Sequence, residues 1–369
     1  MPLLARYRRN WIFVVAALFA TPMLVQVFET RATMSEREAR ALAPTPEIPK
    51  TFDQWRRLPR ALDHFLADHF GLRDPLVRLN GLLRYALTSP TDLRVVYGRD
   101  KWLFFNGDGM LQQSMGLLRR ERDIERFADF AANYGRQLAQ SKVSFLVAIP
   151  PNSATIVRDR LPPWAAGEPA VSEYDLMMGT LASRHVTTVD LRPALRAANA
   201  SEPAYLRTDT HWTKRGALVG YNAVVAALSR SDWTIDPNLV ARGHAAIPSG
   251  DLARMLGVSA DVSDIDAEID LSAYSPRPME ITGIDTHQRE TGGSVTKTGR
   301  PGPTVVILGD SFTEHYWRAY FGLHVGRYVW IHHELCGFRP DVVAAFNPAT
   351  VILAPTERFM FCWNLGTGS

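Results

Sequence analysis

The stretch Thr304-Val-Val-Ile-Leu-Gly-Asp-Ser-Phe-Thr-Glu-His-Tyr316 decides how the rest of the sequence is interpreted. Its apolar run Val305 to Leu308 predicts a buried strand, and the aromatic spacing from Phe312 to Phe321 predicts a helix. Ser311 then lies at a strand-to-helix junction, with its hydroxyl exposed at the carboxyl end of the sheet. The free N–H groups of a helix start can stabilise an oxyanion there. The stretch therefore predicts that Ser311 is a nucleophile.

A structural role explains the same serine. Ser311-Phe-Thr-Glu314 matches a capping box, in which the serine caps the helix and the glutamate three residues later bonds back. Asp310 is predicted either to orient the turn or to take part in the chemistry. The stretch alone leaves both roles of Ser311 open, so the choice depends on whether the chain supplies a base.

A base and a group to orient it occur together in Thr208-Asp209-Thr210-His211-Trp212-Thr213. Residues two apart in an extended segment point to one side, so Asp209 can fix the His211 ring while its other nitrogen faces Ser311. The motif recurs as Asp285-Thr286-His287. We favour the first copy because an apolar-periodic helix follows it and none follows the second.

Together, Gly309-Asp310-Ser311 and Asp209-Thr-His211-Trp212 resemble the SGNH-hydrolase-like alginate O-acetyltransferase family of bacterial exopolysaccharide modification. The resemblance covers roughly residues 35 to 360. Further stretches are similar to the family: FLADHFGLR at 65 to 73, VVYGRDKWLFF at 95 to 105, IPPN at 149 to 152 and TERF at 356 to 359.

The resemblance implies an α/β fold of three layers with a mostly parallel sheet and with the Asp-x-His motif before the Gly-Asp-Ser motif. It implies a Ser311-His211-Asp209 triad that transfers acetyl groups to an exported polysaccharide. Asn152, after the strand Phe145 to Ile149, is a candidate oxyanion donor or a simple turn residue. Three aromatic residues are candidates for stacking on sugar rings or for the core: Trp212, Tyr316 and Trp317.

Composition excludes several classes of protein. A hydrophobic fraction of 46% and a charged fraction of 21% are ordinary for globular proteins, and a net charge of +3 gives no reason to expect nucleic acid. Cys336 and Cys362 form one bridge in an oxidising compartment or remain two buried thiols. His332 and His333 are adjacent on a strand and should point to opposite faces, so we predict no metal. No motif indicates a cofactor.

The N-terminus predicts a membrane segment. Arg6, Arg8 and Arg9 precede Trp11 to Phe28, which carries no charge and approaches the minimum span of about 17 residues. The basic flank places the N-terminus in the cytoplasm and the rest of the chain in the periplasm, as a single-pass protein of the inner membrane. A cleaved signal peptide is the alternative.

Periodicity divides the remaining chain. Residues 1 to 34 are assigned to the cytoplasmic tip and anchor, 35 to 95 to a linker and helical segment, and 96 to 369 to the catalytic domain. The apolar residues between Ala61 and Leu87 are predicted to be core. Strands alternate with helices from about 119 to 355, except for a turn-rich insertion at 231 to 303 that we expect to form a cap or an acceptor groove.

Three functions fit these observations. The first is an O-acetyltransferase that receives acetyl groups from a membrane-bound acyltransferase. The second is a periplasmic carbohydrate esterase with the same acyl-enzyme, and the third is a non-catalytic polysaccharide-binding scaffold. The triad cannot separate the first two, whereas an intact triad counts against the third.

Overall fold

The structure is a computed structural model that describes residues 11–16, 20–21, 34–35, 40–87, 94–284 and 292–363. The chain divides into two compact units. The first comprises residues 1–89 and 248–263, and the second comprises residues 90–247 and 264–369.

The first unit contains the helices Phe52–Asp68, Arg73–Leu87 and Asp251–Met255. Within it, Arg78 Nε donates to Asp261 Oδ2 at 2.9 Å. The prediction that the apolar residues of the two long helices are core is wrong for most of them, since Leu66 is 56% exposed and Leu83 is 52% exposed. Helical periodicity identified one apolar face, but it could not tell whether this chain covers that face.

Most of the predicted anchor Trp11 to Phe28 lies outside the described residues. Within the described part of the chain, no helix has the length and apolar character needed to cross a membrane. The strands Met34–Ser35 and Arg40–Ala41 pair antiparallel in the same unit.

The second unit is built on a seven-stranded sheet. In chain order its strands are Ser144–Ala148 (β1), Thr188–Val189 (β2), Glu280–Ile284 (β3), Gly293–Lys297 (β4), Thr304–Gly309 (β5), Arg327–His332 (β6) and Thr350–Ala354 (β7). Their spatial order is β2-β1-β7-β5-β6-β4-β3. Strands β2, β1, β7, β5 and β6 are parallel, whereas β4 pairs antiparallel with β6 and β3 pairs antiparallel with β4. The predicted mostly parallel sheet is confirmed.

The central strands β1, β7, β5 and β6 are buried on both faces, because consecutive residues along each of them enter different hydrophobic clusters. On β5, for example, Val305 and Ile307 belong to one cluster, and Val306 and Leu308 belong to the other. The helices of this unit are Met110–Ser114, Glu121–Gln140, Ser153–Ile156, Glu173–Ser183, Arg192–Ser201, Lys214–Ala227, Pro237–Val240, Ser311–Glu314, Tyr316–Phe321 and Pro340–Ala345.

Two smaller sheets accompany the large one. Val95–Tyr97 and Leu103–Phe105 pair antiparallel, and Ala241–Pro248 pairs with Ser263–Ile269. The insertion at 231 to 303 is therefore not a single cap. Its strands β3 and β4 extend the central sheet, and its residues 248–263 group with the first unit.

Gly309 ends β5 in a place where a side chain does not fit, because a methyl group there would overlap Thr313 Oγ1. Thr313 Oγ1 cannot simply rotate away, since it donates to Asp310 O at 3.1 Å and accepts from Trp330 Nε1 at 3.2 Å. We expect Gly309→Ala to lower the free energy of unfolding by about 1–3 kcal/mol, as measured by urea denaturation. Gly179→Ala is the control, because nothing lies within 4 Å of its added methyl group. A neutral Gly309→Ala would contradict the predicted overlap.

Candidate active site

Ser311 lies immediately after β5, at the first position of the helix Ser311–Glu314. The N-cap of this helix is Asp310, whose Oδ1 accepts the Phe312 N–H at 3.1 Å. The capping interpretation of Ser311 is therefore wrong, since Asp310 performs that role. The predicted single helix is two short ones, Ser311–Glu314 and Tyr316–Phe321.

The Asp310 side chain is bound by Thr356, which follows the end of the neighbouring strand β7. Its Oδ2 accepts hydrogen bonds from Thr356 N at 2.9 Å and from Thr356 Oγ1 at 2.6 Å, just beyond β7. Burial alone would raise the pKa of the Asp310 carboxyl, but the neighbouring His333, Arg358 and Thr356 together hold it well below its usual value. Asp310 thus orients the turn, which was one of its two predicted roles.

Asp209 and His211 are brought together by a turn rather than by an extended segment. The His211 N–H donates to Asp209 Oδ1 at 2.9 Å, which is the local bond of an Asx-turn. The same carboxylate oxygen lies 2.6 Å from His211 Nδ1. An ionised carboxylate only accepts, so Nδ1 carries the proton and Nε2 is an acceptor.

His211 Nε2 lies 2.8 Å from Ser311 Oγ, across 100 residues of sequence. Ser311 Oγ–H can therefore donate to His211 while Asp209 fixes the opposite side of the ring. The structure places the three predicted residues in one hydrogen-bonded chain, with His211 partly exposed and Asp209 half-buried. The second motif, Asp285 to His287, lies outside the described residues.

Two carboxylates that sequence reasoning missed support the Asp209–His211 turn. Asp264 Oδ2 accepts from Thr208 N at 2.7 Å, and Asp266 Oδ1 accepts from Lys214 N at 2.9 Å. Both acids are buried on the strand Ser263–Ile269 of the predicted insertion. Along Asp264-Ile265-Asp266 the two buried acids alternate with the exposed Ile265. This alternation indicates that the polar side of the strand faces the protein interior.

A cavity of about 300 Å³ opens at Ser311. Its lining residues come from the two motif segments: Leu206, Asp209, His211, Trp212, Ser311, Phe312, His315 and Tyr316. Tyr316 Oη donates to Asp266 Oδ2 at 3.4 Å, and burial, reinforced by Asp266, raises the pKa of Tyr316 to about 12. Tyr316 is thus a neutral hydroxyl at the wall of this cavity at neutral pH.

Trp212 and Trp317 were predicted to stack on sugar rings or to belong to the core, and the structure places both in the core. Both indoles have no exposed surface, because they pack on each other with ring centroids 5.7 Å apart. Their Nε1 atoms donate to Phe312 O at 3.1 Å and to Ala217 O at 3.0 Å. Trp317 supports the site from behind, and Trp212 lines the cavity while its indole remains fully buried.

Of the two roles predicted for Asn152, oxyanion donor and simple turn residue, the structure does not support the first. Asn152 is fully buried, does not line the cavity at Ser311, and donates from Nδ2 to Gln113 Oε1 at 3.2 Å.

A different donor is available for an oxyanion at Ser311. Phe312 N–H and Thr313 N–H are bound by Asp310, whereas Ser311 N–H has no partner among the described residues.

Glu357 is a buried carboxyl behind the site, next to Thr356 in the TERF segment. It accepts hydrogen bonds from Asn152 N at 2.7 Å and from Thr155 Oγ1 at 2.8 Å. Burial nevertheless raises the pKa of Glu357 from 4.5 to about 7. Glu357 is therefore protonated in the folded protein at mildly acidic pH.

This raised pKa predicts how stability depends on pH. Between pH 4.5 and 7 the unfolded chain ionises Glu357 while the folded chain keeps its proton, so the stability contribution is complete at low pH and is lost as pH rises to about 7. Glu357→Gln should remove a decline of about 1–3 kcal/mol between pH 5 and 8 in urea unfolding. The exposed Glu121→Gln should keep the wild-type slope. An unchanged slope in Glu357→Gln would contradict the assignment.

These features define a candidate active site around Ser311 at the carboxyl edge of a mostly parallel α/β sheet. A family model described as "SGNH hydrolase-like domain, acetyltransferase AlgX" matches residues 95–323. The chain belongs to this family, and the resemblance stated from its motifs is confirmed.

Individual relatives are more distant. The chain is 26% identical over 231 residues to a Pseudomonas putida protein named probable alginate O-acetylase AlgJ, a match that covers 58% of this chain and 57% of that protein. The chain thus spans little more than half the length of this relative.

Two solved structures are similar to this chain. PatB1 of Bacillus cereus matches with a TM-score of 0.53 at 13% identity, over 72% of this chain and 97% of that one. The O-acetyltransferase domain of Pseudomonas putida AlgJ matches with a TM-score of 0.48 at 20% identity, over 72% and 91%.

Proposed function

We propose that this protein is an O-acetyltransferase that carries an acetyl group on Ser311 and transfers it to hydroxyl groups of an exported polysaccharide. The observation that carries the proposal is the hydrogen-bonded chain from Asp209 through His211 to Ser311, with contacts of 2.6 and 2.8 Å. The similarity to the protein named probable alginate O-acetylase supports the acyl group and the kind of acceptor.

The geometry supports a two-step mechanism. Ser311 Oγ attacks the acetyl carbonyl while His211 Nε2 takes its proton, and Asp209 stabilises the imidazolium that forms. The free N–H of Ser311 stabilises the oxyanion, and departure of the donor leaves an acetyl ester on Ser311. His211 then deprotonates a sugar hydroxyl, which attacks this ester and regenerates the serine.

Transfer to a sugar requires the site to prefer a hydroxyl group over water. Alignment of reacting groups provides effective molarities of about 10⁵ M or more, which exceeds the concentration of water by a wide margin. The cavity of about 300 Å³ is the place for this alignment, and Tyr316 and the 70% exposed His315 side chain are its polar walls beyond the triad. Tyr316 is the one predicted aromatic residue that remains a candidate for contact with the acceptor.

We also propose that Trp11 to Phe28 anchors the chain in the inner membrane, with the unit that carries Ser311 in the periplasm. The arginines before this span support the orientation. The disulfide between Cys336 and Cys362, whose Cα atoms lie 4.9 Å apart, supports an oxidising compartment. Acetyl-CoA is a cytoplasmic donor, so a membrane-bound acyltransferase is the proposed source of acetyl groups. An alkaline phosphatase fusion after residue 60 should be active, and an inactive one would contradict this orientation.

The test of function uses the full-length chain in detergent, an activated acetyl ester and candidate oligosaccharides. We expect oligosaccharide mass to increase by one acetyl group per modified hydroxyl, and Ser311→Ala should abolish this increase. If acetate is released quickly and no oligosaccharide gains an acetyl group, even with the polymer of the host, the esterase alternative replaces this proposal. If neither occurs, the scaffold alternative does.

A further inference from the structure

The turn that carries Ser311 is held by two loops that follow the neighbouring strands β6 and β7. Thr356, after β7, binds the Asp310 carboxylate through N and Oγ1. His333, after β6, donates its backbone N–H to Gly309 O at 3.0 Å. The two residues before Ser311 are therefore held from opposite sides of β5, Asp310 by Thr356 and Gly309 by His333, through contacts that the proposed mechanism does not use.

The His333 side chain also faces Asp310. His333 is 2% exposed, and its Nδ1 accepts the Leu335 N–H at 3.0 Å. The ring proton of the neutral form must then lie on Nε2, which is 3.8 Å from Asp310 Oδ2. This distance exceeds that of a direct hydrogen bond, so the pair interacts through charge and dipole. Nε2 has no hydrogen-bond partner within the described residues.

His332 and His333 were predicted to point to opposite faces, and this is wrong. Their rings stack with centroids 4.7 Å apart, because His333 lies beyond the end of β6. His332 Nδ1 accepts the Glu334 N–H at 3.1 Å, just as His333 Nδ1 accepts the Leu335 N–H. The two histidines thus have similar local contacts. Of the two, only His333 lies within 4.0 Å of the Asp310 carboxylate.

The loop after His333 has an unfavourable backbone. Glu334, Leu335 and Cys336 have φ angles of 47°, 50° and 69°, which are left-handed values that residues with a Cβ rarely adopt. Such a run persists only where its surroundings enforce it. The disulfide from Cys336 to Cys362 joins this loop to the segment that follows β7 and contains Thr356.

We propose that the Cys336–Cys362 disulfide keeps His333 and Thr356 against Asp310, and that His333 is a positioning residue for Ser311. This inference rests on the proposed role of Ser311 as nucleophile. Reduction of the disulfide takes up two electrons and two protons from a dithiol and gives two thiols. The left-handed loop can then relax, which withdraws His333 from Asp310 and lets the Ser311 turn move relative to His211.

The test measures how fast Ser311 is sulfonylated by phenylmethylsulfonyl fluoride, by mass spectrometry on the full-length chain. In this reaction Ser311 Oγ binds sulfur, fluoride leaves, and the proton passes to His211. His333→Phe keeps the ring and its stacking but removes the N–H, and we expect labelling to slow by about 10–100-fold. His333→Gln restores an N–H donor toward Asp310 and should remain within about 5-fold of wild type. The matched control, His332→Phe, should also remain within about 5-fold.

A role in packing alone predicts the opposite order, with His333→Phe tolerated and His333→Gln impaired, and that order would overturn the inference. Thermal unfolding of each variant separates slow labelling from loss of fold. If His333→Phe does not fold, the decisive measurement is wild type treated with dithiothreitol. Reduction should slow labelling by about 10–100-fold while the thermal transition persists, and unchanged labelling after complete reduction overturns the inference.

Coupling provides a further measurement. Cys336→Ser/Cys362→Ser should slow labelling, and combining it with His333→Phe should add little, because both changes release the same contact. Fully multiplicative effects would contradict a shared action on Asp310. Suppose that Ser311 is labelled at a rate that depends on His333, but that wild type acetylates no oligosaccharide. This result would refute the proposed transferase function and leave the positioning role intact. Wild type in which Ser311 is not labelled would overturn both.

Discussion

Ser311→Ala and His211→Ala are each expected to lower kcat for an activated acetyl ester by about 10⁴-fold or more. Each removes one end of the 2.8 Å contact between Oγ and Nε2, so neither attack by the serine nor removal of its proton can proceed normally. Residues that act as a unit are not additive, so the double variant should be little worse than either single one. Stopped-flow measurement of the acylation burst and of steady-state turnover tests both expectations.

The second Asp-x-His motif supplies the matched control for this experiment. His287→Ala should retain nearly full activity, because the base that contacts Ser311 is His211. His315→Ala tests a second histidine that lines the cavity but lacks the contact with Ser311 Oγ among the described residues. An inactive His287→Ala beside an active His211→Ala would show that the wrong motif was selected.

Asp209→Asn is expected to lower kcat by about 10³–10⁴-fold with a small change in KM. The carboxylate accepts from both the backbone N–H and the ring Nδ1 of His211, and the second contact of 2.6 Å fixes the tautomer that leaves Nε2 free. The amide of asparagine can donate to Nδ1 and favour the opposite tautomer, in which Nε2 carries a proton and cannot accept one from Ser311.

The same burst and turnover assay measures this change, with Asp285→Asn as its control. Unfolding in urea should show that the Asp209→Asn chain remains folded, because the side chain keeps an oxygen that can accept the His211 N–H. Activity within about 10-fold of wild type would mean that another group orients His211, contrary to the mechanism proposed here.

The local sequence determined the parts of this protein that depend on neighbouring residues. The continuous apolar run Val305 to Leu308 is a property of one strand, and the turn after it follows from Gly309, Asp310 and the helical pattern beyond. Asp209 and His211 are two residues apart, so their contact also required only local geometry. Sequence therefore predicted the mostly parallel sheet, the strand that carries Ser311 and the nearness of Asp209 to His211.

Tertiary structure decided which candidates reach Ser311. Trp212, Trp317 and Asn152 have residue types that suit a binding site, but burial and existing hydrogen bonds occupy them. Whether a side chain faces solvent or core depends on elements far away in sequence. Helix periodicity alone shows one apolar face and gives no information about what covers it.

The residues that hold Ser311 and His211 in place could not be predicted from local sequence patterns either. Asp264 lies 53 residues after His211, and Thr356 and His333 lie 45 and 22 residues after Ser311. The parallel order β7-β5-β6 brings the loops after the outer strands to the end of the central one. The sequence alone indicated the proposed nucleophile and its proposed base, because each motif depends on a few adjacent residues. Only the sheet order decided which distant side chains hold them in place, because parallel neighbours meet at their carboxyl ends whatever their separation along the chain.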